Sequence, residues 1–163
     1  MNLRKQIAVI SLSLFTITSL ASGQTNSQTC ANNQSIVGTW VVTRHGADCS
    51  TGNQLGPDFP ALMTFNQGGT LNAYAIPPNG STPANSSPEY GTWLKTGPHS
   101  YRFRDISFGY DGNGAFTGSA IVKAVVTLGA NGDSFTYKAT IDFYDASGNL
   151  QFSICGGATG KRF

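Results

Sequence analysis

A regular series of turn motifs is the feature that most constrains the fold of this chain. Each motif separates two short runs that are rich in β-branched and aromatic residues, and Asn-Gly and Asp-Gly favour the positive-φ turns that hairpins need. No helical periodicity follows the first 23 residues. The predicted strands are Ile36–His45, Phe59–Asn66, Thr70–Ile76, Glu89–Lys95, Ser100–Phe108, Ala115–Leu128, Asp133–Asp145 and a last run from about Leu150 to Phe163.

The order of strands and turns predicts an all-β protein with a single eight-stranded antiparallel up-and-down barrel over residues 36–163. Short turns pair consecutive strands, and closure of the sheet removes both exposed edges. A β-sandwich is the main alternative, but its Greek-key crossings need longer connections than most of these. The one long irregular connection is Pro77–Pro88.

The N-terminal segment indicates export. Residues 1–23 combine the basic pair Arg4 and Lys5, an apolar stretch and small residues at the cleavage position, as in a signal peptide. Residues 24–35 form a polar leader. The absence of a Cys directly after the small residues argues against a lipid anchor, so we expect a secreted or periplasmic protein without a stable membrane anchor.

Charge excludes a class of partners. The chain has 10 Lys and Arg against 8 Asp and Glu, and loss of Arg4 and Lys5 with the signal peptide leaves 8 against 8. A formally neutral chain without a basic cluster is not typical of nucleic-acid binding. The sequence carries no signal for a cofactor or for an oligomeric state.

The cysteines predict a disulfide and no metal site. Cys30, Cys49 and Cys155 are too far apart in sequence for a zinc motif. If the last strand pairs with the first, Cys155 lies opposite about His45 and close to Cys49, which predicts a Cys49–Cys155 bridge. Cys30–Cys155 is the alternative, and either pairing leaves one thiol.

Alternation along the strands identifies the inward side chains. On the fifth predicted strand the inward set contains Tyr101, Phe103 and Asp105. Three interpretations of Asp105 stay open: a carboxylate near the rim, hydrated or bonded to Arg44 or backbone amides; a ligand-orienting or acid/base group with a raised pKa; or a side chain turned outward by a bulge. Inward aromatic residues mixed with Gly and Ala fit a solid core or a cavity.

Trp40 and Arg162 form the candidate structural pair. Trp40 lies on the inner face of the first strand, and Arg162 lies near the end of the last, so closure would place the guanidinium over the indole. This contact would plug one end of the barrel and leave the other end as a ligand mouth.

These residues also carry a resemblance. Gly38-Thr39-Trp40 with Arg162 resembles the signature of calycin-like, lipocalin-like β-barrels. Residues 59–65, Gly91-Thr92-Trp93, residues 145–149 and the Gly-Lys-Arg-Phe end are similar to a group of small secreted bacterial proteins of uncharacterised function. The resemblance implies a calycin-like barrel and carries no activity.

Three functions are compatible with this sequence. The first is a secreted small-molecule carrier for an apolar ligand, with the Pro77–Pro88 loop as a lid or rim. The second is an isomerase or cyclase of the allene-oxide-cyclase type, in which Asp105 or Glu89 would be catalytic. The third is a ligand-free envelope or interaction barrel, filled by Phe135, Phe143 and Phe152. The ligand-binding residues expected for the carrier are Tyr74, Trp93, Tyr101, Phe103, Asp105 and Tyr137.

Overall fold

The computed structural model describes residues 35–75 and 85–163, which form one closed barrel of eight antiparallel strands in sequence order. This confirms the predicted fold class, and the architecture is consistent with a calycin-like fold. A membrane-spanning helix is absent from the part of the chain that the structure describes. The strands are β1 (Gly38–Ala47), β2 (Gln54–Phe65), β3 (Thr70–Ala75), β4 (Glu89–Lys95), β5 (Ser100–Tyr110), β6 (Phe116–Leu128), β7 (Ser134–Asp145) and β8 (Leu150–Arg162).

Several predictions fall on residues outside these ranges. The signal peptide at residues 1–23 lies outside them, as do Cys30 and the leader at residues 24–35 except Ser35. Most of the Pro77–Pro88 loop also lies outside the described residues.

Closure of the barrel pairs β1 with β8 in a register that brings two cysteines together. Trp40 pairs with Arg162, and Ala47 pairs with Cys155. The predicted register, with Cys155 opposite about His45, was therefore wrong by two residues. The conclusion drawn from it holds, because the Cys49–Cys155 disulfide is present with a Cα–Cα distance of 4.8 Å.

Strand β2 begins earlier than predicted. The Gly and Pro residues after Thr51 predicted a loop up to Phe59, but Gln54 and Leu55 already pair with β1. The β1–β2 register shifts between Arg44 and Gly46, and Pro57 lies in the extra segment of β2 opposite that shift. Proline is tolerated there because a bulged residue does not have to donate an amide to the ladder.

One end of the barrel is filled by aromatic side chains. Trp40 packs edge-on against Phe135 at 4.9 Å between ring centroids, and Phe65 packs against Phe103 and Phe135 at 6.1 Å. Trp93 and Tyr101 extend the same cluster. Ring pairs of this geometry stabilise a core beyond the area that they bury. We call this end the closed half.

Arg162 covers the closed half from outside. Its guanidinium carbon lies 4.3 Å from the centre of the Trp40 ring, and its nitrogens donate to the carbonyls of Ser35, Val37 and Gly132. Gly38 has a φ of 133°, and a Cβ at this position would overlap Nη1 of Arg162. Both the backbone conformation and the close approach of Arg162 therefore require glycine there.

Candidate functional site

The other end of the barrel contains a cavity of about 610 Å³. It lies between the final residues of the odd-numbered strands and the first residues of the even-numbered strands, which we call the open half. This volume falls within the usual range for small-molecule sites, about 300–1,000 Å³. Small residues on the inner face leave the space: Ala75, Ala120, Ala139, Gly156 and Gly157. Bulkier apolar residues complete its walls: Val122, Ile141, Phe143 and Ile154.

A buried ion pair forms the floor of this cavity. Arg44 follows Trp40 and Val42 on the inner face of β1, and its side chain is 9% exposed. It crosses the barrel interior to Glu89 on β4, donating from Nη1 to Oε1 at 2.6 Å and from Nη2 to Oε2 at 3.0 Å. Strands β1 and β4 are not neighbours in the sheet, so this bidentate contact ties opposite walls together.

Asp105 lies next to this ion pair, on the inner face of β5. It is 2% exposed, it pairs with Gly91 and Val122, and a Cβ at Gly91 would overlap its backbone. Neither of its carboxyl oxygens makes a hydrogen bond of good geometry. The side chain is therefore inside the barrel and is not turned outward.

Burial raises the pKa of Asp105 to about 8, and the negative charge of Glu89 adds to this rise while Arg44 opposes it. The carboxyl group is consequently mostly neutral at pH 7. The floor then carries one positive charge on Arg44 and one negative charge on Glu89, which makes it neutral but strongly dipolar.

Tyr137 marks the boundary between the cavity and the closed half. It is 7% exposed, it lines the cavity, and its ring packs edge-on against Phe103 at 5.4 Å. Burial raises the pKa of Tyr137 to about 12, against the influence of Arg44, so the phenol stays protonated. Burial lowers the pKa of Arg44, but Tyr137, Glu89 and Asp105 outweigh this effect and the guanidinium remains charged.

The structure does not bring the six predicted ligand-binding residues together as one cavity wall. Tyr137 lines the cavity, and Asp105 is buried without lining it. Trp93, Tyr101 and Phe103 belong to the closed half. Tyr74 is on the outer face of β3, because Leu71, Ala73 and Ala75 occupy the inner face.

Most of the residues that line the cavity were absent from the predicted set. The alternation of side chains along β6 and β7 could have found Val122, Ala139 and Ile141, and the same signal on β1 could have found Arg44. The alternation of side chains along a strand does not reveal how high each residue lies along the barrel axis. Glu89 was singled out, but its partner Arg44 is 45 residues away in sequence and across the interior.

The three phenylalanines expected to fill a ligand-free barrel lie at different heights. Phe135 packs in the closed half, whereas Phe143 lines the cavity and stacks on Phe152 at 4.6 Å. The barrel is therefore half solid and half hollow, rather than one or the other.

The two carboxyl groups near the floor are either buried or already engaged. The carboxyl oxygens of Asp105 are buried, and both oxygens of Glu89 accept hydrogen bonds from Arg44. Within the described residues, no group of three or more His, Cys, Asp or Glu side chains is arranged to hold a metal ion. An apolar wall above a dipolar floor would enclose a small molecule and orient one polar group.

Comparisons with known proteins add little to this geometry. No protein-family model and no curated protein matches the sequence. Among solved structures, the barrel is similar to Rv2717c from M. tuberculosis, with a TM-score of 0.37 and 13% identity over 78% of this chain and 92% of that chain.

Proposed function

We propose that the mature chain is an extracytoplasmic binding barrel that holds a small, largely apolar molecule in its open half. The observation that carries this proposal is the cavity of about 610 Å³, which has apolar walls and a polar floor. Burial of apolar ligand surface would supply the affinity, and the floor would select for a polar group at the inner end of the ligand.

The disulfide supports the location. Cys49–Cys155 joins the β1–β2 loop to β8 at the open half, and such bridges persist in oxidising compartments. This agrees with export by the predicted signal peptide, and we propose a secreted or periplasmic protein on both grounds.

Carriage is favoured over catalysis by the position of Asp105. A general acid or base has to reach the proton that it transfers, directly or through one water. Asp105 does not line the cavity, and Glu89 is engaged on both oxygens, so neither of the two candidate groups is presented to a ligand.

The proposal is tested by a substitution that fills the cavity from one wall. Ala139 is 8% exposed and lines the cavity, whereas Thr140 follows it on the outer face of β7. Ala139→Phe should weaken binding of a neutral fluorescent apolar probe such as N-phenyl-1-naphthylamine by at least about tenfold, since the added ring occupies the ligand volume. Thr140→Phe, the matched control, should leave binding within about twofold.

Overpacking can also unfold a barrel, so the same series includes Ala139→Leu and a thermal melt of each variant. A folded Ala139→Phe protein that binds the probe as tightly as wild type would contradict the proposal. Native mass spectrometry of the exported protein supplies the second readout, since a small mass released on denaturation would identify the ligand class.

A further inference from the structure

The mouth of the barrel carries an exposed apolar surface that the cavity alone does not explain. Five large apolar residues from β2, β5, β6 and β8 surround the mouth, and each is 42 to 56% exposed. Contiguous exposed apolar surface of this kind marks a site of interaction with a protein or a membrane. We call this set the apolar rim: Leu55, Phe108, Phe116, Leu150 and Phe152.

The apolar rim is continuous with the cavity wall. Leu55 and Phe108 line the cavity and are also exposed. Phe143 lines the cavity and stacks on Phe152 at 4.6 Å, and Phe108 contacts Phe116 at 5.8 Å. An apolar molecule leaving the cavity would therefore pass along phenylalanine side chains to the outer surface.

Two β-bulges lie next to the phenylalanine side chains of the apolar rim. The β5–β6 register shifts between Gly109 and Tyr110, and the β7–β8 register shifts between Phe143 and Tyr144, both at the mouth. A bulge adds local twist and re-aims neighbouring side chains, and bulges concentrate at barrel rims next to functional sites. The same device occurs on two separate hairpins, and each bulge adjoins one of the aromatic pairs.

The charged residues at the mouth distinguish between anionic and neutral membrane surfaces as binding partners. The described turns there contain Asp48 and Asp111 and no Lys or Arg, and Asp145 ends β7 beside the β7–β8 turn. Hydrogen bonds from the Ser50 hydroxyl and from turn amides lower the pKa of Asp48 to about 2, and the Asn149 amide lowers the pKa of Asp145. Asp111 accepts a hydrogen bond from the amide of Ala115. Carboxyl groups at the mouth would disfavour contact with anionic headgroups.

We infer that the apolar rim docks the mouth of the barrel onto a neutral, zwitterionic lipid surface, so that an apolar molecule moves between bilayer and cavity without crossing water. Exposed phenylalanines suit insertion at the boundary between headgroups and acyl chains. The exchange of ligand rests on the proposed function, whereas the docking itself needs only the rim.

Vesicle flotation with phosphatidylcholine tests the docking. The wild-type protein should float with the vesicles, and Phe116→Ser/Phe152→Ser should reduce the bound fraction by at least about tenfold, since two inserted rings are lost. Leu94→Ser/Val125→Ser is the matched control, because these residues are 58% and 51% exposed on the outer wall. The control should change binding by less than about twofold.

The lipid composition tests the charge argument. Replacing about a third of the phosphatidylcholine by phosphatidylglycerol should weaken docking, and added salt should partly restore it. Stronger binding to the anionic vesicles, or equal losses in both double variants, would overturn the inference. So would a concentration-dependent dimer that only Phe116→Ser/Phe152→Ser abolishes, because a second copy would then be the occupant of the rim.

Ala139→Phe separates the two proposals. Its filled cavity should abolish probe binding while vesicle docking is kept, which supports docking by the rim itself. Wild-type protein that binds the apolar probe but fails to float with phosphatidylcholine would overturn the docking and leave the binding barrel standing.

Discussion

The closed and open halves of the barrel are built from the same strands but are stabilised by different interactions. In the closed half, Trp40, Phe65 and Phe135 fill the interior and Arg162 covers it. In the open half, the interior is a cavity, and the walls are held by the Cys49–Cys155 disulfide and the Arg44–Glu89 ion pair.

This difference explains how a hollow region persists in a small barrel. An unfilled interior loses the dispersion contacts that a packed core provides. The covalent link between the β1–β2 loop and β8 and the bidentate contact at the cavity floor do not require a filled interior, so they stabilise the walls around the cavity. The packed half supplies stability, and the cross-linked half supplies space.

The largest expected effect compares two phenylalanines on β7, one in each half. Phe135→Ala removes a ring that is 2% exposed and should lower the free energy of unfolding by about 3–5 kcal/mol, because it leaves a void among Trp40 and Phe65. Phe143→Ala removes a half-buried ring beside existing space and should cost about 1 kcal/mol. Urea titration measures both, and equal losses would remove the distinction between the halves.

The disulfide should affect the open half most. The double variant Cys49→Ser/Cys155→Ser should lower the free energy of unfolding by about 2–4 kcal/mol, since the bridge closes a sequence separation of 106 residues. Amide hydrogen exchange should increase more around Ala47 and Cys155 than around Trp40. Reduced wild-type protein is the control and should show the same pattern; uniform exchange along β1 would contradict it.

The buried carboxyl group of Asp105 predicts that the free energy of unfolding depends on pH. Because its pKa rises from an ordinary value of 3.8 to about 8, the folded state binds the extra proton, and stability should fall as pH rises between those values. The expected slope is about 1.4 kcal/mol per pH unit, or up to about 3 kcal/mol between pH 5 and pH 7. Asp105→Asn should flatten this slope in urea titrations at each pH.

Asp142, on the outer face of β7, is the matched control for Asp105. A hydrogen bond from Lys123 at 2.8 Å, together with one from Ser153, lowers the pKa of Asp142, so its contribution is present at neutral pH and is lost on acidification. Asp142→Asn should leave the slope between pH 5 and pH 7 unchanged. A slope that persists in Asp105→Asn would show that another group carries the titration.

The smallest expected effect on stability comes from Arg162, which covers the closed half. Arg162→Lys keeps the charge but loses the planar contact with Trp40 and at least one hydrogen bond to a backbone carbonyl, which should cost about 1–2 kcal/mol. Lys161→Ala changes the exposed neighbour and should stay within about 0.5 kcal/mol of wild type. If thermal melts place both variants at the wild-type midpoint, the cover contributes nothing measurable.

The sequence was a good guide to strands and a poor guide to the site. Turn motifs located seven of the eight strands to within two residues at each end, and β2 failed because Gly56 and Pro57 are tolerated in an irregular segment that still pairs with β1. The six predicted ligand-binding residues are divided between different parts of the barrel for another reason. Trp93, Tyr101 and Phe103 are aromatic and, like many cavity residues, semi-buried or buried, but they lie in the half that is filled.

The sequence by itself predicted features that are local or follow from alternation: the turns, the eight strands, their sequential pairing and the closure of β8 on β1. It favoured the Cys49–Cys155 bridge and an inward Asp105, and it left Cys30–Cys155 and an outward Asp105 open. From Trp40 and Arg162 the sequence also predicted one plugged end and a mouth at the other end. The tertiary structure alone decided which side chains line the cavity and that Arg44 meets Glu89 across the interior. The physical reason is that the height of a side chain in a barrel depends on the stagger of all strands around the ring. That stagger accumulates from each register and bulge, and no single segment of the sequence contains it.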